Sequence, residues 1–265
     1  MRHAAISNHF AHHKHEGESA SWAANCPNGT RIRGRDVQRW RVQHNDQYLL
    51  FVPWHFPLHQ DPEIQGVSVK AEQEFKKRYP AIYEHLHRFK KDLSARNRDE
   101  TGIRYEWYAL QRWGAEYWQE FETPKIVYQD IARYFGMGWD DTNSYLANTC
   151  YFIPRADKWL LGVLLSSTMR YYVQKVLGSE EGGFIRLFSI HVENFPVPAA
   201  DPPERQALES LVDRILKSKQ AKPNADVSTL EREIDGRVHR LYGLTKDEIQ
   251  LVEEAVETKG SLCPA

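Results

Sequence analysis

The sequence predicts an α+β protein in which a mixed, sheet-containing region is followed by a helical C-terminal tail. Two strand-like runs rich in aromatic and β-branched residues, 124–131 and 150–154, surround a connection that contains glycine. A long apolar segment follows at 157–176, and beyond Pro198 the pattern changes to amphipathic helical runs. A chain of 265 residues that is 41% hydrophobic is long enough to bury a substantial core.

The chain is predicted to have three parts, residues 1–30, 31–200 and 201–265. The first has little hydrophobic periodicity and contains the turn former Pro27-Asn-Gly29, so we expect a loosely ordered lead-in. The second carries the strand-like runs and is expected to form the α+β region. The third opens with Asp201-Pro-Pro203, an ordinary helix start, and is expected to be a helical tail.

The first half of the α+β region combines one strand with helices. Residues 47–53 are aromatic and β-branched and end in proline, which predicts a buried strand. A helical pattern begins at Val69 and breaks at Tyr79-Pro80. Beyond the break, four apolar side chains recur at helical spacing on one face: Ile82, Leu86, Phe89 and Leu93. The aromatic-rich segment 105–118 is interpreted as a packing layer rather than a base-stacking surface, because large aromatics dominate core burial.

The second half contains the strand pair and the central helix. Residues 135–144 join the two strands and are rich in Gly, Asn and Asp, so we expect a hairpin with an exposed tip. Residues 157–176 are predicted to form one buried helix, and 184–197 to return as extended chain. The tail is predicted to form helices over 204–220 and 226–241, with Gly243 as a stop. A capping box of Thr245 and Glu248 is expected to start the last helix.

The composition favours a cytoplasmic protein without a membrane span. The N-terminus lacks the apolar core of a secretory signal, and polar residues interrupt the longest apolar helix. Cys26, Cys150 and Cys263 are far apart and odd in number, so we interpret them as reduced thiols. A net charge of -1 does not by itself indicate a nucleic-acid binder. Cations nevertheless collect in two clusters: Arg31, Arg33, Arg35, Arg39 and Arg41, and then Arg88, Lys90, Lys91, Arg96 and Arg98.

Several motifs occur in one order along the chain. They are Arg33-Gly-Arg-Asp36, the strand pair between Pro124 and Pro154, Phe195-Pro-Val-Pro198, Leu230-Glu-Arg-Glu-Ile-Asp235 and Leu241-Tyr-Gly-Leu-Thr245. This order, over residues 31–257, resembles the C-terminal specificity region of TaqI-like adenine-specific DNA methyltransferases and of fused type IIG restriction-modification enzymes. The resemblance implies a target-recognition region that binds double-stranded DNA and positions an adenine for a methyltransferase catalytic domain. It further implies S-adenosylmethionine as the cofactor of the parent enzyme, and none in this chain.

Motifs that would carry chemistry are interpreted as structural. A cofactor-binding glycine turn must open a helix, whereas Phe135-Gly-Met-Gly138 precedes a strand-like run. Asp201-Pro-Pro-Glu204 lacks the aromatic residue that would stack on a flipped base. We therefore assign no catalytic residue and expect this chain alone not to be catalytic.

Two metal-binding interpretations are considered and set aside. Asp61, Glu74 and Lys76 form a crude acidic-plus-lysine set of the nuclease kind, but helical sequence around Glu74 favours a solvated face. The N-terminal histidines have no acidic or cysteine partner close by: His9, His12, His13 and His15. The sequence therefore predicts no metal site.

The candidate DNA-binding residues are Arg33, Arg35, Asp36, Arg39, Lys125, Gln129, Arg133, Tyr134 and Asn143. In Arg33-Gly-Arg-Asp36, glycine allows close backbone approach, and arginines bind phosphate or guanine edges. The alternative is a turn whose ion pair fixes the following strand, and both interpretations stay open. Asp140 and Asp141 are further candidates at the hairpin tip. The weaker candidates, whose types are more often solvated surface on strands and helices, are Lys125, Gln129, Arg170, Lys175 and Arg186. A second function class also stays open, a protein-interaction module or stand-alone specificity subunit without catalytic activity.

Overall fold

The computed structural model describes residues 2–3, 11–13, 28–45, 47–96, 104–178 and 184–258. The chain divides into two compact units. Unit 1 draws its described residues from 1–4, 32–44 and 120–265, and unit 2 from 5–31 and 45–119. This division differs from the predicted one, because the C-terminal tail packs into the core of unit 1 rather than forming a separate part.

The structure is α+β, as predicted. Its strands are β1 (Arg2–His3), β2 (Ala11–His13), β3 (Asn28–Ile32), β4 (Trp40–Arg41), β5 (Gln47–Leu50), β6 (Lys125–Gln129), β7 (Ile131–Ala132), β8 (Met137–Asp140), β9 (Tyr145–Leu146), β10 (Cys150–Pro154) and β11 (Ile185–Arg186). Its α-helices are α1 (Val69–Arg78), α2 (Pro80–His87), α3 (Lys90–Ser94), α4 (Lys158–Leu164), α5 (Ser167–Val176), α6 (Ser189–Glu193), α7 (Pro202–Ala221), α8 (Ser228–Tyr242) and α9 (Lys246–Thr258).

The main sheet of unit 1 has the strand order β1-β10-β6-β8-β4. The predicted pair of β6 and β10 is antiparallel, with Tyr128 opposite Tyr151. The predicted connection at 135–144 is not simply a turn, since β8 lies within it and pairs antiparallel with β6. β4 then adds to β8 in parallel. Gly138, which suggested a turn, allows β4 and β8 to pair closely, because a Cβ on it would lie 2.5 Å from the Arg41 carbonyl oxygen.

The predicted central helix is two helices, α4 and α5, separated at Leu165 and Ser166. The Ser166 hydroxyl accepts a hydrogen bond from the Met169 amide and donates one to the Val163 carbonyl. It therefore caps the second helix while closing the first. The apolar side chains of α4 are buried as expected. The segment 184–197 is not extended throughout, because α6 interrupts it after β11.

The starts of α7 and α9 and the end of α8 follow the local signals, whereas α8 begins at Ser228 rather than at the predicted residue 226. The Asp201 carboxylate accepts a hydrogen bond from the Glu204 amide and caps α7. Gly243 ends α8 in the left-handed region at a φ of 67°. Thr245 and Glu248 form the expected reciprocal capping box. The apolar faces of α7 and α8 contribute to one core with the main sheet and α4.

Unit 2 combines a small sheet, in which β5 pairs antiparallel with β2 and β3, with helices α1 to α3. The predicted break at Tyr79-Pro80 is present, and Ile82 and Leu86 are buried. Phe89 is instead 46% exposed, because α2 ends before it and the helical spacing does not continue into α3. The aromatic-rich segment packs as expected, with the Tyr108 ring 4.6 Å from Phe75.

The described residues bear on three further sequence interpretations: a membrane span, a metal site and the state of the cysteines. No helix in the described part of the chain is long and apolar enough to cross a membrane. Glu74 pairs with Arg78 one turn later in α1, as expected for a solvated helix face. Within the described ranges, no three His, Cys, Asp or Glu side chains form a group that could hold a metal ion. Cys150 is buried and forms no disulfide, whereas His9, His15, Cys26 and Cys263 lie outside the described residues.

Candidate nucleic-acid interface

Residues 33–44, which we call the arginine segment, run along the surface of unit 1 and are fixed at several points. The Gly34 amide donates to the Thr149 hydroxyl at 2.9 Å. The Gln129 side-chain amide donates to the Val37 carbonyl at 2.9 Å. Farther along, the segment forms β4 and pairs with β8. Its backbone is therefore held by the same sheet that forms the core.

Arg33 and Asp36 stabilise the turn at the start of the arginine segment. The Arg33 amide and Nε both donate to Asp36 Oδ2, at 2.9 and 3.2 Å. Asp36 is buried, so the prediction that it contacts DNA directly is corrected to a role in orienting Arg33. The glycine at position 34 allows the backbone to approach Thr149 rather than a ligand, since a Cβ there would lie 3.0 Å from the Thr149 carbonyl oxygen. The geometry favours the structural interpretation of this pair.

Arg35 lies between these fixed residues and differs from them in exposure. Its side chain is exposed, and within the described ranges it has no hydrogen-bond or ion-pair partner. Gln38 is also exposed and lies three positions later on the same segment. Sequence reasoning omitted Gln38, which lies in a run of mixed apolar and polar residues that gave no distinct signal. The Gln38 side-chain amide donates to the Gln43 side-chain oxygen at 3.4 Å, whereas the Arg35 guanidinium is presented to solvent from a fixed backbone.

Arg39 is partly exposed, and its guanidinium has two partners within unit 1. Its Nε donates to Glu231 Oε1 at 2.7 Å, and its Nη2 donates to the Leu165 carbonyl at 2.8 Å. The Trp40 indole donates to the same Glu231 oxygen at 2.6 Å. Burial alone would raise the pKa of Glu231, but Arg39 and the Trp40 hydrogen bond outweigh it and hold this pKa below its ordinary value. Glu231 is therefore ionised at neutral pH.

Lys125 is structural, so the prediction that it contacts DNA is corrected, whereas Gln129 is half-buried and stays a prediction. The Lys125 ammonium is fully buried, lies 2.8 Å from Asp140 Oδ2 and donates to the Phe121 carbonyl at 2.6 Å. Burial lowers the pKa of Lys125, while the Asp140 carboxylate opposes that shift. Asp140 is equally buried and is not a base-contacting residue. The signal available in the sequence was a lone lysine within an otherwise apolar strand.

The remaining predicted residues lie at exposed turns. Arg133 is exposed, and its guanidinium carbon lies 6.0 Å from the centroid of the half-buried Tyr134 ring. Asn143 is exposed at the tip after β8, with a φ of 57°. Its neighbour Thr142 places a hydroxyl 3.5 Å from Nε2 of His44, the last residue of the arginine segment. One end of the segment therefore lies at this tip.

The arginine segment also connects to the turn that carries Arg133 and Tyr134. A Cβ on Gly136 would lie 3.4 Å from the Arg39 amide nitrogen, so the chain just after that turn packs on the middle of the segment. The exposed candidate Arg35 lies in the arginine segment itself. Arg133 and Asn143 lie on two turns whose neighbouring residues contact this segment. The Arg186 guanidinium carbon lies 4.6 Å from the centroid of the Phe188 ring, and its Nε lies 3.8 Å from Asp130 Oδ1.

Comparison with known proteins relates this chain to proteins of restriction-modification systems. The family model described as the TaqI-like C-terminal specificity domain matches residues 30–197. The type II methyltransferase M.MjaIV of Methanocaldococcus jannaschii is 28% identical over 213 residues, which cover 77% of this chain and 64% of the methyltransferase. The type IIL restriction-modification enzyme MmeI, solved in complex with DNA, has a similar fold, with a TM-score of 0.57 and 16% identity. That match covers 98% of this chain and 35% of the MmeI chain.

Proposed function

The chain belongs to the TaqI-like C-terminal specificity domain family, and on this premise we propose that it recognises a short sequence in double-stranded DNA for a restriction-modification system. In this proposal it positions a target adenine for a methyltransferase catalytic domain, in the same polypeptide or in a separate subunit. That domain binds S-adenosylmethionine, and this chain alone transfers no methyl group. The chain spans less than two thirds of the methyltransferase that it matches.

The single observation that carries the proposal is the contrast in exposure within the arginine segment. Asp36 and Trp40 are buried and hydrogen-bonded, whereas Arg35 beside them extends into solvent. A base-reading or phosphate-binding side chain needs a fixed backbone, because a loosely held donor loses specificity. Arginine is suited to this role since its guanidinium binds phosphate or the O6 and N7 atoms of guanine in bidentate fashion.

Charge distribution supports a local rather than a global attraction to DNA. The whole chain has a net charge of -1, so its total charge provides no general attraction to phosphate. Residues 31–44 contain five arginines and one aspartate, and are therefore strongly basic. Glu231 and Asp36 offset part of this charge at Arg39 and Arg33. Arg35 has no such acidic partner in the described part of the chain, and its charge stays available to phosphate.

A salt titration of duplex binding tests the proposal. Anisotropy of a labelled duplex of about 30 bp is measured with this chain at increasing salt, and we expect affinity to fall steeply because bound counterions are released on binding. Absence of duplex binding at low salt would refute the proposed function. A catalytic role for the isolated chain predicts instead that S-adenosylmethionine or Mg²⁺ raises its melting temperature, and we expect no such shift. The proposal assigns the chain to the compartment that holds the DNA, the cytoplasm of a cell without a nucleus.

A further inference from the structure

One face of helix α8 presents three polar side chains, one helical turn apart, to other elements of unit 1. Glu231 accepts from Arg39 and Trp40 as described above. Asp235 accepts from the Ser167 amide at 2.7 Å, at the start of α5. His239 Nε2 lies 3.2 Å from the Ser167 hydroxyl. The motif Leu230-Glu-Arg-Glu-Ile-Asp235 thus supplies polar contacts to two other elements.

The break between α4 and α5 is part of the same arrangement. A helix that continued through Leu165 would engage its carbonyl in an intrahelical hydrogen bond. Because α4 ends at Leu164, the Leu165 carbonyl accepts instead from Arg39 Nη2. Arg39 is consequently held at two points, by a carboxylate from α8 and by a carbonyl from the α4–α5 junction. Its guanidinium fork suits this geometry better than a lysine ammonium would.

Trp40 adds a second constraint on the backbone of the arginine segment. Its φ of 73° lies in the left-handed region, which a bulky residue adopts only when its surroundings enforce it. The ring is buried in the core of unit 1, and its indole donates to Glu231. The Glu231 carboxylate is thus the shared acceptor of two consecutive residues at a sharp bend of the segment.

We propose that Glu231 is a positioning residue for DNA recognition: it holds the bend at Arg39 and Trp40 and thereby sets the orientation of the exposed Arg35 and Gln38. In this role Glu231 acts through Arg39 and Trp40, which both donate to its Oε1 atom. The part of this inference that concerns DNA rests on the proposed function. The part that concerns the segment rests on the contacts alone.

Simple electrostatics and positioning predict opposite effects when Glu231 loses its charge. Removing an acid from a DNA-binding protein reduces repulsion of phosphate and should strengthen binding slightly. If Glu231 positions the segment, Glu231→Gln should weaken binding in spite of the favourable charge change. Glu233→Gln is the matched control, because Glu233 lies on the same helix, is half exposed, and lies 3.9 Å from Arg237 rather than at the segment.

The experiment compares wild type, E231Q and E233Q in two measurements on the whole chain. Hydrogen exchange follows the segment amides of Gln38, Arg41 and Gln43, which donate to backbone carbonyls of the same segment. Anisotropy measures affinity for duplexes enriched from a random pool by the wild-type chain. We expect E231Q to speed exchange at these amides about tenfold and to weaken binding about tenfold. E233Q should leave exchange unchanged and alter affinity by less than about twofold.

The possible outcomes distinguish the role of Glu231 in positioning the arginine segment from the proposed function of the whole chain. Unchanged exchange in E231Q would overturn the proposal, whatever the duplex measurement gives. Faster exchange combined with the same affinity as E233Q would also overturn it, since the segment would then be loosened without consequence for DNA. If exchange is faster in E231Q but the wild-type chain binds no duplex, Glu231 stabilises the arginine segment and the proposed function is refuted.

A second variant covers the case in which E231Q does not fold. Arg39→Lys keeps the net charge and removes the bond from Arg39 Nη2 to the Leu165 carbonyl. We expect faster exchange at the same amides and weaker duplex binding, by about threefold or more, without any change in total charge. Wild-type exchange and affinity in this variant would overturn the proposal.

Discussion

The Lys125 ammonium lies 2.8 Å from the Asp140 carboxylate, and neither side chain is exposed to solvent. The two residues face each other across the antiparallel pair of β6 and β8. Asp140 Oδ1 also accepts from the Thr142 hydroxyl at 2.6 Å. The ion pair therefore anchors the base of the tip that carries Asn143.

Loss of one partner of this pair should destabilise unit 1 strongly. Lys125→Met leaves the Asp140 carboxylate buried without a counter-ion, and we expect the free energy of unfolding to fall by about 3–5 kcal/mol. The double variant K125M/D140N should recover much of this loss because it removes both charges. Urea unfolding measures the change. Lys158→Met is the control, since its pair with Asp213 is partly exposed and should contribute less than about 1 kcal/mol. Equal losses in K125M and K158M would contradict the account.

The same pair predicts a specific dependence of stability on pH. Burial alone would raise the pKa of Asp140, but Lys125 and Thr142 outweigh it and hold this pKa below its ordinary value of 3.8. A carboxyl group with a lowered folded-state pKa contributes stability above its unfolded pKa, and this contribution is lost as pH falls through the folded value. The difference in unfolding free energy between wild type and K125M/D140N should stay constant from about pH 7 to pH 5 and shrink below about pH 4. If the difference in unfolding free energy stays constant down to about pH 2, the lowered pKa of Asp140 does not contribute to stability as predicted.

Two glycines should respond in opposite directions to alanine. A Cβ on Gly138 would lie 2.5 Å from the Arg41 carbonyl oxygen, so β4 must shift. We expect Gly138→Ala to destabilise the protein by about 1–3 kcal/mol or more. Gly236 lies inside α8, and a Cβ there would meet no atom of another element within 4 Å, so Gly236→Ala should stabilise by about 0.5–1 kcal/mol. Thermal unfolding of both variants provides the measurement, and a stable G138A would argue against the close pairing of β4 and β8.

What could be predicted from the sequence depended on how local the signal is. The starts of α7 and α9 and the end of α8 follow from Asp201, Thr245 and Gly243, whose capping bonds involve residues no more than a few positions away. The α+β class and the pairing of β6 with β10 followed from strand-like runs and were confirmed.

The site residues were harder to predict because their partners are distant in sequence. Arg39 and Glu231 are separated by 192 positions, so nothing near Arg39 in the sequence revealed that its guanidinium pairs with a carboxylate of α8. Lys125 and Asp140 meet only because of the strand register, and β8 itself was expected to be part of a turn. Glycine is compatible with a turn and with a closely packed strand, and only the neighbouring β4 distinguishes them.

Arg35 should contribute to binding and not to stability. Its side chain is exposed and has no hydrogen-bond or ion-pair partner among the described residues, so Arg35→Ala should leave the melting temperature unchanged. We expect duplex affinity to fall by about 1–3 kcal/mol if Arg35 binds guanine, or the salt slope to fall by about 1 if it binds phosphate. Arg214→Ala on α7 removes another exposed cation and serves as the control for net charge. Equal losses of duplex affinity in both variants would show that Arg35 contributes to binding only through its charge.

The central claim is that this chain selects a DNA sequence, and enrichment of duplexes from a random pool by the chain alone tests it most directly. Repeated binding and recovery should converge on a short defined sequence, and R35A should converge less strongly or on a relaxed version of it. A recovered pool that keeps its random composition, from a chain shown to be folded, would contradict the claim.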